Sequence, residues 1–202
     1  FDDSGNVVTA LVSITNYNPF NAGMGSFDMH WIESGQVRVV HKEFDADEIK
    51  QGDNKGIQFG ECCYIKPGVD NTEIYYQGED TQGNDVEIAV NMAHTEPGVQ
   101  SGDSNLYFGE GRDEYWGLKL LAPRGRATAS LKTKSGELSI LELKAYLDHG
   151  KATAKVPDFS DHWYRLHFFS DNWTIDLHEI TTESNYGTRK PQILYVSKNK
   201  QP

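Results

Sequence analysis

A histidine and a carboxylate are adjacent near the end of an alternating apolar segment, in Tyr146-Leu147-Asp148-His149. Such a pair could protonate an alkene and position a water molecule, as hydration or cyclisation of a polyene requires. In a strand, however, His149 shares a face with Leu147 and Asp148 shares one with Tyr146, so the two side chains diverge unless a bulge intervenes. His149 and Asp148 are therefore catalytic candidates only in an enzymatic interpretation. Otherwise His149 is a buried, hydrogen-bonded side chain and Asp148 a turn residue at the strand end.

The run from His162 to Phe169 is rich in aromatic and imidazole side chains. Alternation places Arg165 between two aromatic residues and a histidine on one face of a strand. Aromatic rings could supply contact area to an apolar ligand while one polar group orients it, although ordinary core packing is the alternative. The predicted ligand-binding residues are Tyr146, His149, Trp163, His167, Phe169 and Trp116.

Metal and thiol chemistry find little support in the residue spacing. His162 and His167 are five residues apart and so fall on opposite faces of a strand, and the chain contains no H-x-H, H-E-x-x-H or C-x-x-C sequence. We predict no metal and no cofactor. In an extended strand Cys62 and Cys63 would point to opposite faces, and with Lys66 as the nearest basic residue their thiols are expected to be unbridged and inert.

Charge excludes other partners. The formal net charge is −11, from 30 acidic and 19 basic side chains, so nucleic acid is repelled and contact with an anionic membrane is at most peripheral. Esterase, P-loop and dinucleotide-binding motifs do not occur.

The missing disulfide framework favours the cytoplasm. Secretion stays open, because the chain begins at Phe1 and carries one glycosylation sequon, Asn172-Trp173-Thr174, which we interpret as a chance occurrence.

Period-2 alternation between turn residues predicts an all-β fold, either a sandwich or an antiparallel barrel. One short helix is predicted over Phe44–Lys50, and Glu96–Asn105 is predicted to be a loop. At this length we expect a single domain over residues 1–202. The predicted strands are 7–14, 26–32, 36–41, 57–65, 72–77, 86–92, 126–133, 137–147, 162–169, 173–180 and 192–197.

Short motifs in a shared order resemble those of the yeast survival-factor family. They are Pro97-Gly98-Val99-Gln100-Ser101-Gly102-Asp103, Leu106-Tyr107-Phe108-Gly109, Tyr115-Trp116-Gly117, Ala122-Pro123-Arg124-Gly125-Arg126-Ala127 and the run from Glu179 to Thr188. The resemblance covers the first of that family's two lipocalin-like barrels. It implies a lipocalin-like (calycin) β-barrel in the wider carotenoid 1,2-hydratase and AttH-like clan.

Three functions follow from the resemblance as expectations. The favoured one is a non-enzymatic carrier of an apolar small molecule, such as a sphingolipid-type lipid or an isoprenoid, because an eight-stranded barrel is wide enough for one small ligand. The second is a hydratase or cyclase that uses His149 as acid or base. The hydratase branch carries an Asp-His pair at the matching strand end, whereas the survival factors have a nearby His without the Asp. In the third, the chain packs on a second lipocalin-like barrel, in cis or in a homodimer, and so has a large exposed apolar patch.

Overall fold

The protein is built almost entirely from β-strands. The computed structural model describes residues 1–15, 24–51, 56–100, 102–103, 105–108, 114–154 and 156–198. The strands are β1 (Val7–Thr15), β2 (Met24–Glu33), β3 (Gln36–Asp45), β4 (Ile49–Gln51), β5 (Ile57–Phe59), β6 (Cys63–Pro67), β7 (Asn71–Glu79), β8 (Asp85–His94), β9 (Asn105–Tyr107), β10 (Tyr115–Thr133), β11 (Leu138–Ala152), β12 (Ser160–Phe169), β13 (Trp173–Thr182) and β14 (Gln192–Lys198). The helical segments are α1 (Val156–Phe159) and two 3-10 turns, Ala46–Glu48 and Ser184–Tyr186.

Within the described residues, the strands form three sheets. Sheet A has the order β1-β2-β3, sheet B the order β11-β10-β8-β7-β6-β5-β4 with β9 also paired to β10, and sheet C the order β12-β13-β14. Pairing is antiparallel within sheets A and C and along β4 to β8, and β10 pairs antiparallel with β8 and β9. The predicted all-β antiparallel class is confirmed. Among the described residues, no helix has the length and apolar character needed to cross a bilayer.

The chain divides into two compact units. Unit 1 comprises Phe1–His94 and Gly125–Ala145, and unit 2 comprises Thr95–Arg124 and Tyr146–Pro202. The long strands β10 and β11 therefore contribute residues to both units. The expectation of one barrel domain over residues 1–202 stays a prediction.

The core of unit 1 follows from alternation along β2 and its neighbours. Phe27, Met29 and Trp31 are buried, because every second side chain of a strand points to the same face. The Phe27 ring stacks on Tyr76 with 5.7 Å between ring centroids. Aromatic and aliphatic side chains thus fill this interior.

The turn between β5 and β6 corrects the strand predicted over residues 57–65. Residues 60–62 form a turn in which Gly60 has a φ of +55°, a left-handed conformation that glycine adopts readily. Because Cys62 lies in this turn, its Sγ atom is only 3.5 Å from that of Cys63, so the prediction of opposite faces is wrong. Both are free thiols, and burial together with the Cys62 contact raises the pKa of Cys63.

Two other boundary predictions are also wrong. The helix predicted over Phe44–Lys50 is only the 3-10 turn Ala46–Glu48, because β3 continues to Asp45. Strand β10 begins at Tyr115, well before the predicted 126. Ser101 and Gly109, from two of the family-like motifs, lie outside the described residues.

Sheet C of unit 2 carries apolar side chains on its exposed face and polar ones on its buried face. On β13, Thr174, Asp176 and His178 are buried, whereas the intervening residues are less so. The exposed face carries Tyr164, Leu166, Phe168, Trp173, Leu194 and Val196, which are between 39% and 62% exposed. An exposed apolar patch is what the second-barrel hypothesis expects, and the partner itself stays a prediction.

The core of unit 2 lies on the other side of this sheet. Phe108 and Phe159 stack there with 4.4 Å between ring centroids. The buried apolar residues are Phe108, Trp116, Leu118, Leu120, Phe159, Ile180 and Tyr195.

Candidate functional site

Three strand segments of unit 2 bring six polar side chains together. In the antiparallel pairing of β12 with β13, His167 lies opposite Asp176 and Arg165 lies opposite His178, so these four residues share one face of sheet C. Strand β11 adds Tyr146 and Asp148, which contact Arg165. We call this set the imidazole cluster: Tyr146, Asp148, Arg165, His167, Asp176 and His178.

Asp176 lies between the two imidazoles. Its Oδ2 atom is 2.8 Å from Nδ1 of His167, its Oδ1 atom is 2.6 Å from Nε2 of His178, and the side chain is 1% exposed. The carboxylate thus places its negative charge directly against both imidazole rings. It therefore sets the electrostatic environment of both rings.

Arg165 and Tyr146 form the second half of the cluster. The guanidinium of Arg165 makes an ion pair with Asp148, and its Cζ lies 5.0 Å from the centroid of the Tyr146 ring. Nε of Arg165 donates to Nε2 of His167 at 3.4 Å. The Tyr146 ring stacks on His167 with 3.5 Å between ring centroids. One cation thus contacts a carboxylate, an aromatic face and an imidazole.

Two further predicted ligand-binding residues border the cluster. The Trp116 ring lies 5.9 Å from the His178 ring, and the Phe169 ring lies 6.2 Å from the His167 ring, measured between centroids. The ionisable groups therefore lie among apolar rings, where electrostatic interactions are stronger than in water.

The cluster shifts the pKa values of two of its members. Burial by itself would raise the pKa of Asp176, but the two adjacent imidazoles outweigh it and the pKa lies below the ordinary value of 3.8. Burial raises the pKa of Tyr146 above 10.0, although Arg165 opposes the shift. At neutral pH the cluster therefore presents an ionised Asp176 and a protonated phenol.

Protonatable imidazoles, a phenol and a guanidinium can all donate hydrogen bonds to a polar group on a ligand. An imidazole next to a buried carboxylate is also the usual arrangement for proton transfer. One potential ligand atom from each of Asp148, His167 and His178 lies within 4.8 Å of the others, a separation that a metal ion could bridge.

The structure separates two predicted site residues from this set. His149 is exposed and lies outside the cluster. The protein around its ring removes enough water to lower its pKa, with Lys119 and Lys151 lowering it further. Trp163 is 53% exposed and pairs with Ile180. The roles predicted for His149 and Trp163 stay predictions.

The predicted site thus divides into residues that the cluster includes or borders and residues that it does not. Those in or beside it are Tyr146, Asp148, His167, Phe169 and Trp116. Because β11 continues to Ala152, Asp148 lies within a strand and not at its end.

Asp176 and His178 were missed from the sequence, and Arg165 was noticed without being assigned a role. The signal was present as alternation of polar residues at 174, 176 and 178 with apolar residues at 175 and 177. Alternation does not say which face is buried, and the usual assignment of the apolar face to the core points the wrong way here.

A second buried polar group explains one residue of the sequon. Thr174 donates to Oε1 of Glu96 at 2.9 Å, and the Tyr195 hydroxyl donates to Oε2 at 3.3 Å. Arg124 lies 3.9 Å from the same carboxylate. Thr174 therefore has a structural role in unit 2 that does not require glycosylation.

Unit 1 contains a separate cavity of about 330 Å³. Its rim includes the hydrogen bond from Thr128 to Glu142, at 2.8 Å. The lining is Asn71, Asn91, Met92, Ala93, Arg126, Ala127, Thr128 and Glu142. This lining mixes apolar and polar groups and contains no aromatic ring, unlike the surroundings of the imidazole cluster.

Comparison with known proteins gives a likeness in fold. No family model and no curated protein matches the chain. A solved structure from Nitrosomonas europaea, provisionally described as AttH, superposes with a TM-score of 0.58 at 10% sequence identity, covering 96% of this chain and 67% of that one. The comparison therefore supports the lipocalin-like fold predicted from the sequence, and it lends no support to the survival-factor family.

Proposed function

We propose that this chain binds an apolar small molecule that carries one hydrogen-bonding group, and that the imidazole cluster in unit 2 holds that group. The observation that carries the proposal is the stacking of Tyr146 on His167 at 3.5 Å, beside the Arg165 guanidinium. Ligand sites commonly combine aromatic contact area with a few converging polar groups.

The surroundings of the cluster suggest the ligand class. Trp116 and Phe169 offer apolar contact area, while Tyr146 and Arg165 offer donors to a hydroxyl, carbonyl or carboxylate. Fatty acids, sterols and isoprenoids have this combination of an apolar body and a polar end. The survival-factor resemblance adds sphingolipid-type lipids to these classes.

A binding screen tests the proposal. The purified chain is extracted with organic solvent, and then incubated separately with oleic acid, sphingosine, cholesterol and β-carotene before native mass spectrometry. We expect a one-to-one complex with at least one of these probes. If none of the four binds, the proposal is wrong.

Paired tyrosine variants locate the binding site. Tyr146→Ala removes the stacking contact and should weaken binding of the retained probe by about threefold to tenfold. Tyr164→Ala is the control, because this ring lies on the exposed face of sheet C. Equal affinities for the two variants would place the ligand elsewhere.

Acid–base catalysis is the second candidate, favoured by the contact between Asp176 and Nδ1 of His167. In this hydratase or cyclase hypothesis His167 is the acid or base, in place of His149, which was predicted from the sequence. The test measures water addition to a terpenoid or polyene by mass. His167→Gln should abolish turnover and His149→Ala should retain it. The opposite pattern would return the role to His149.

A further inference from the structure

The imidazole cluster contains more buried ligand-type atoms than its hydrogen bonds account for. Within the described part of the chain, nine buried side-chain atoms have no hydrogen-bond partner, and five of the nine belong to this cluster: Oδ2 of Asp148, Nδ1 of His167, Nε2 of His178, and both carboxylate oxygens of Asp176. The close contacts among them are ion pairs that lack hydrogen-bond alignment. Buried polar atoms in folded proteins nearly always have a hydrogen-bond partner. Here the atoms of Asp176 and the two imidazoles contact one another, and Asp148 contacts Arg165, only as ion pairs.

We propose that Asp148, His167 and His178 form a binding site for a divalent transition metal ion, with Zn²⁺ as the best fit. Their ligand atoms, one from each residue, lie within 4.8 Å of one another. The three residues come from β11, β12 and β13, so strand pairing and not a local motif brings them together. Because the three residues are far apart in the sequence and form no local motif, the sequence predicts no metal site.

The donor set selects the class of metal. Two imidazoles and one carboxylate suit Zn²⁺ and related ions, whereas Mg²⁺ and Ca²⁺ prefer oxygen ligands. Three protein ligands also leave a coordination position open. Asp176, which contacts both imidazoles, has the place of the carboxylate that typically orients metal-binding histidines from behind.

The local charge favours a dication. With neutral imidazoles the cluster carries two carboxylates and one guanidinium, hence a net charge of about −1. Arg165 neutralises Asp148 in the structure, and its side chain is 35% exposed. The guanidinium thus competes with an arriving ion for Asp148. A variant without this guanidinium is therefore expected to bind the ion more tightly.

Metal titration of the purified chain, after treatment with a chelator, tests the proposal without any apolar ligand, so its result is independent of the proposed function. Calorimetry with ZnCl₂ should show one equivalent bound, and Co²⁺ should give visible d–d absorption. Asp148→Asn and His167→Gln should each weaken binding by at least about tenfold. Arg165→Met should strengthen it several-fold, because Asp148 is then free.

His162→Gln is the matched control, since His162 lies on the same strand but pairs with Asp161 at 2.8 Å. Its affinity should equal that of the unmodified chain. If His167→Gln fails to fold, Asp148→Asn and Arg165→Met decide by shifting the affinity in opposite directions. The proposal is overturned if no saturable binding occurs, or if Asp148→Asn binds as tightly as the unmodified chain.

Discussion

Tyr146 stacks on the imidazole of His167 with 27° between the ring planes, although the two residues belong to strands of different sheets. The contact holds the part of β11 around Tyr146 against β12 within unit 2. It also sets an aromatic face beside the only part of sheet C where, among the described residues, two histidines flank one carboxylate. The contribution of this contact to the free energy of unfolding can be measured without any ligand.

Tyr146→Ala should lower the free energy of unfolding by about 1 to 3 kcal/mol, because it removes a half-buried ring and its stacking contact with His167. Tyr146→Phe keeps the ring and should cost much less. Urea unfolding followed by tryptophan fluorescence measures both. Tyr164→Ala, on the exposed face, should change the free energy by no more than about 0.5 kcal/mol. A loss of similar size in Tyr164→Ala would contradict this assignment.

Asp176 should make unfolding pH-dependent in acid. Because its pKa in the folded protein is lowered from 3.8, its stabilising contribution is complete above that pH and is lost as the pH falls through the folded value. Asp176→Asn should cost roughly 2 to 4 kcal/mol at neutral pH. Urea midpoints of the unmodified chain and of Asp176→Asn are measured at neutral pH and again below the ordinary Asp pKa. The difference in stability between the two proteins should be smaller in acid. Asp161→Asn, at an exposed site, is the control. If the effect of Asp176→Asn were the same at both pH values, Asp176 would not stabilise the fold through its ion pairs with the two imidazoles.

Glu96 should be a second determinant of unit 2 stability. Glu96→Ala leaves the hydroxyls of Thr174 and Tyr195 without their acceptor, and should cost about 2 to 4 kcal/mol. Glu96→Gln retains one acceptor oxygen and should cost less. Chemical unfolding measures the free energy of unfolding of both variants. If Glu96→Gln were the less stable of the two, the charge of the carboxylate would matter more than its ability to accept hydrogen bonds.

Gly125 should not tolerate a side chain. A Cβ atom there would lie 2.5 Å from Cε of Met92 and 2.7 Å from the carbonyl oxygen of Ala93. Gly125→Ala should therefore destabilise the protein by about 1 to 3 kcal/mol through overpacking. Gly150→Ala is the comparison, since the nearest atom would be 3.8 Å away. Thermal unfolding should separate the variants, and coincident curves would count against the close approach at Gly125.

Much of the fold could be predicted from alternation alone. The strand predicted over residues 7–14 became Val7–Thr15, and the one over 173–180 became Trp173–Thr182, because turn residues mark the ends of both. The break at Gly60 was missed, since glycine within a short apolar run reads equally well as part of a strand. Boundaries depend on backbone conformation, which residue types constrain only weakly.

The site was predicted less completely for a different reason. Tyr146 and His167 could be proposed from their own segments, but the partners of His167 depend on how β12 pairs with β13. The pairing of His167 with Asp176 is a tertiary fact that no local pattern contains. The preference for His149 over Asp148 also relied on the apolar face being the buried one, and Asp148 is the residue that the cluster includes.

The inverted faces of sheet C should reverse the usual order of mutational tolerance. In a scan of all substitutions along β12, β13 and β14, we expect the exposed apolar positions such as Leu166 and Leu194 to accept polar residues, and the buried polar positions such as Asp176 to reject almost every change. A hydropathy-based guess would rank these positions the other way round. For protein engineering, the exposed apolar face of sheet C offers bulky side chains that can be replaced to improve solubility. Such changes leave the imidazole cluster on the opposite face intact.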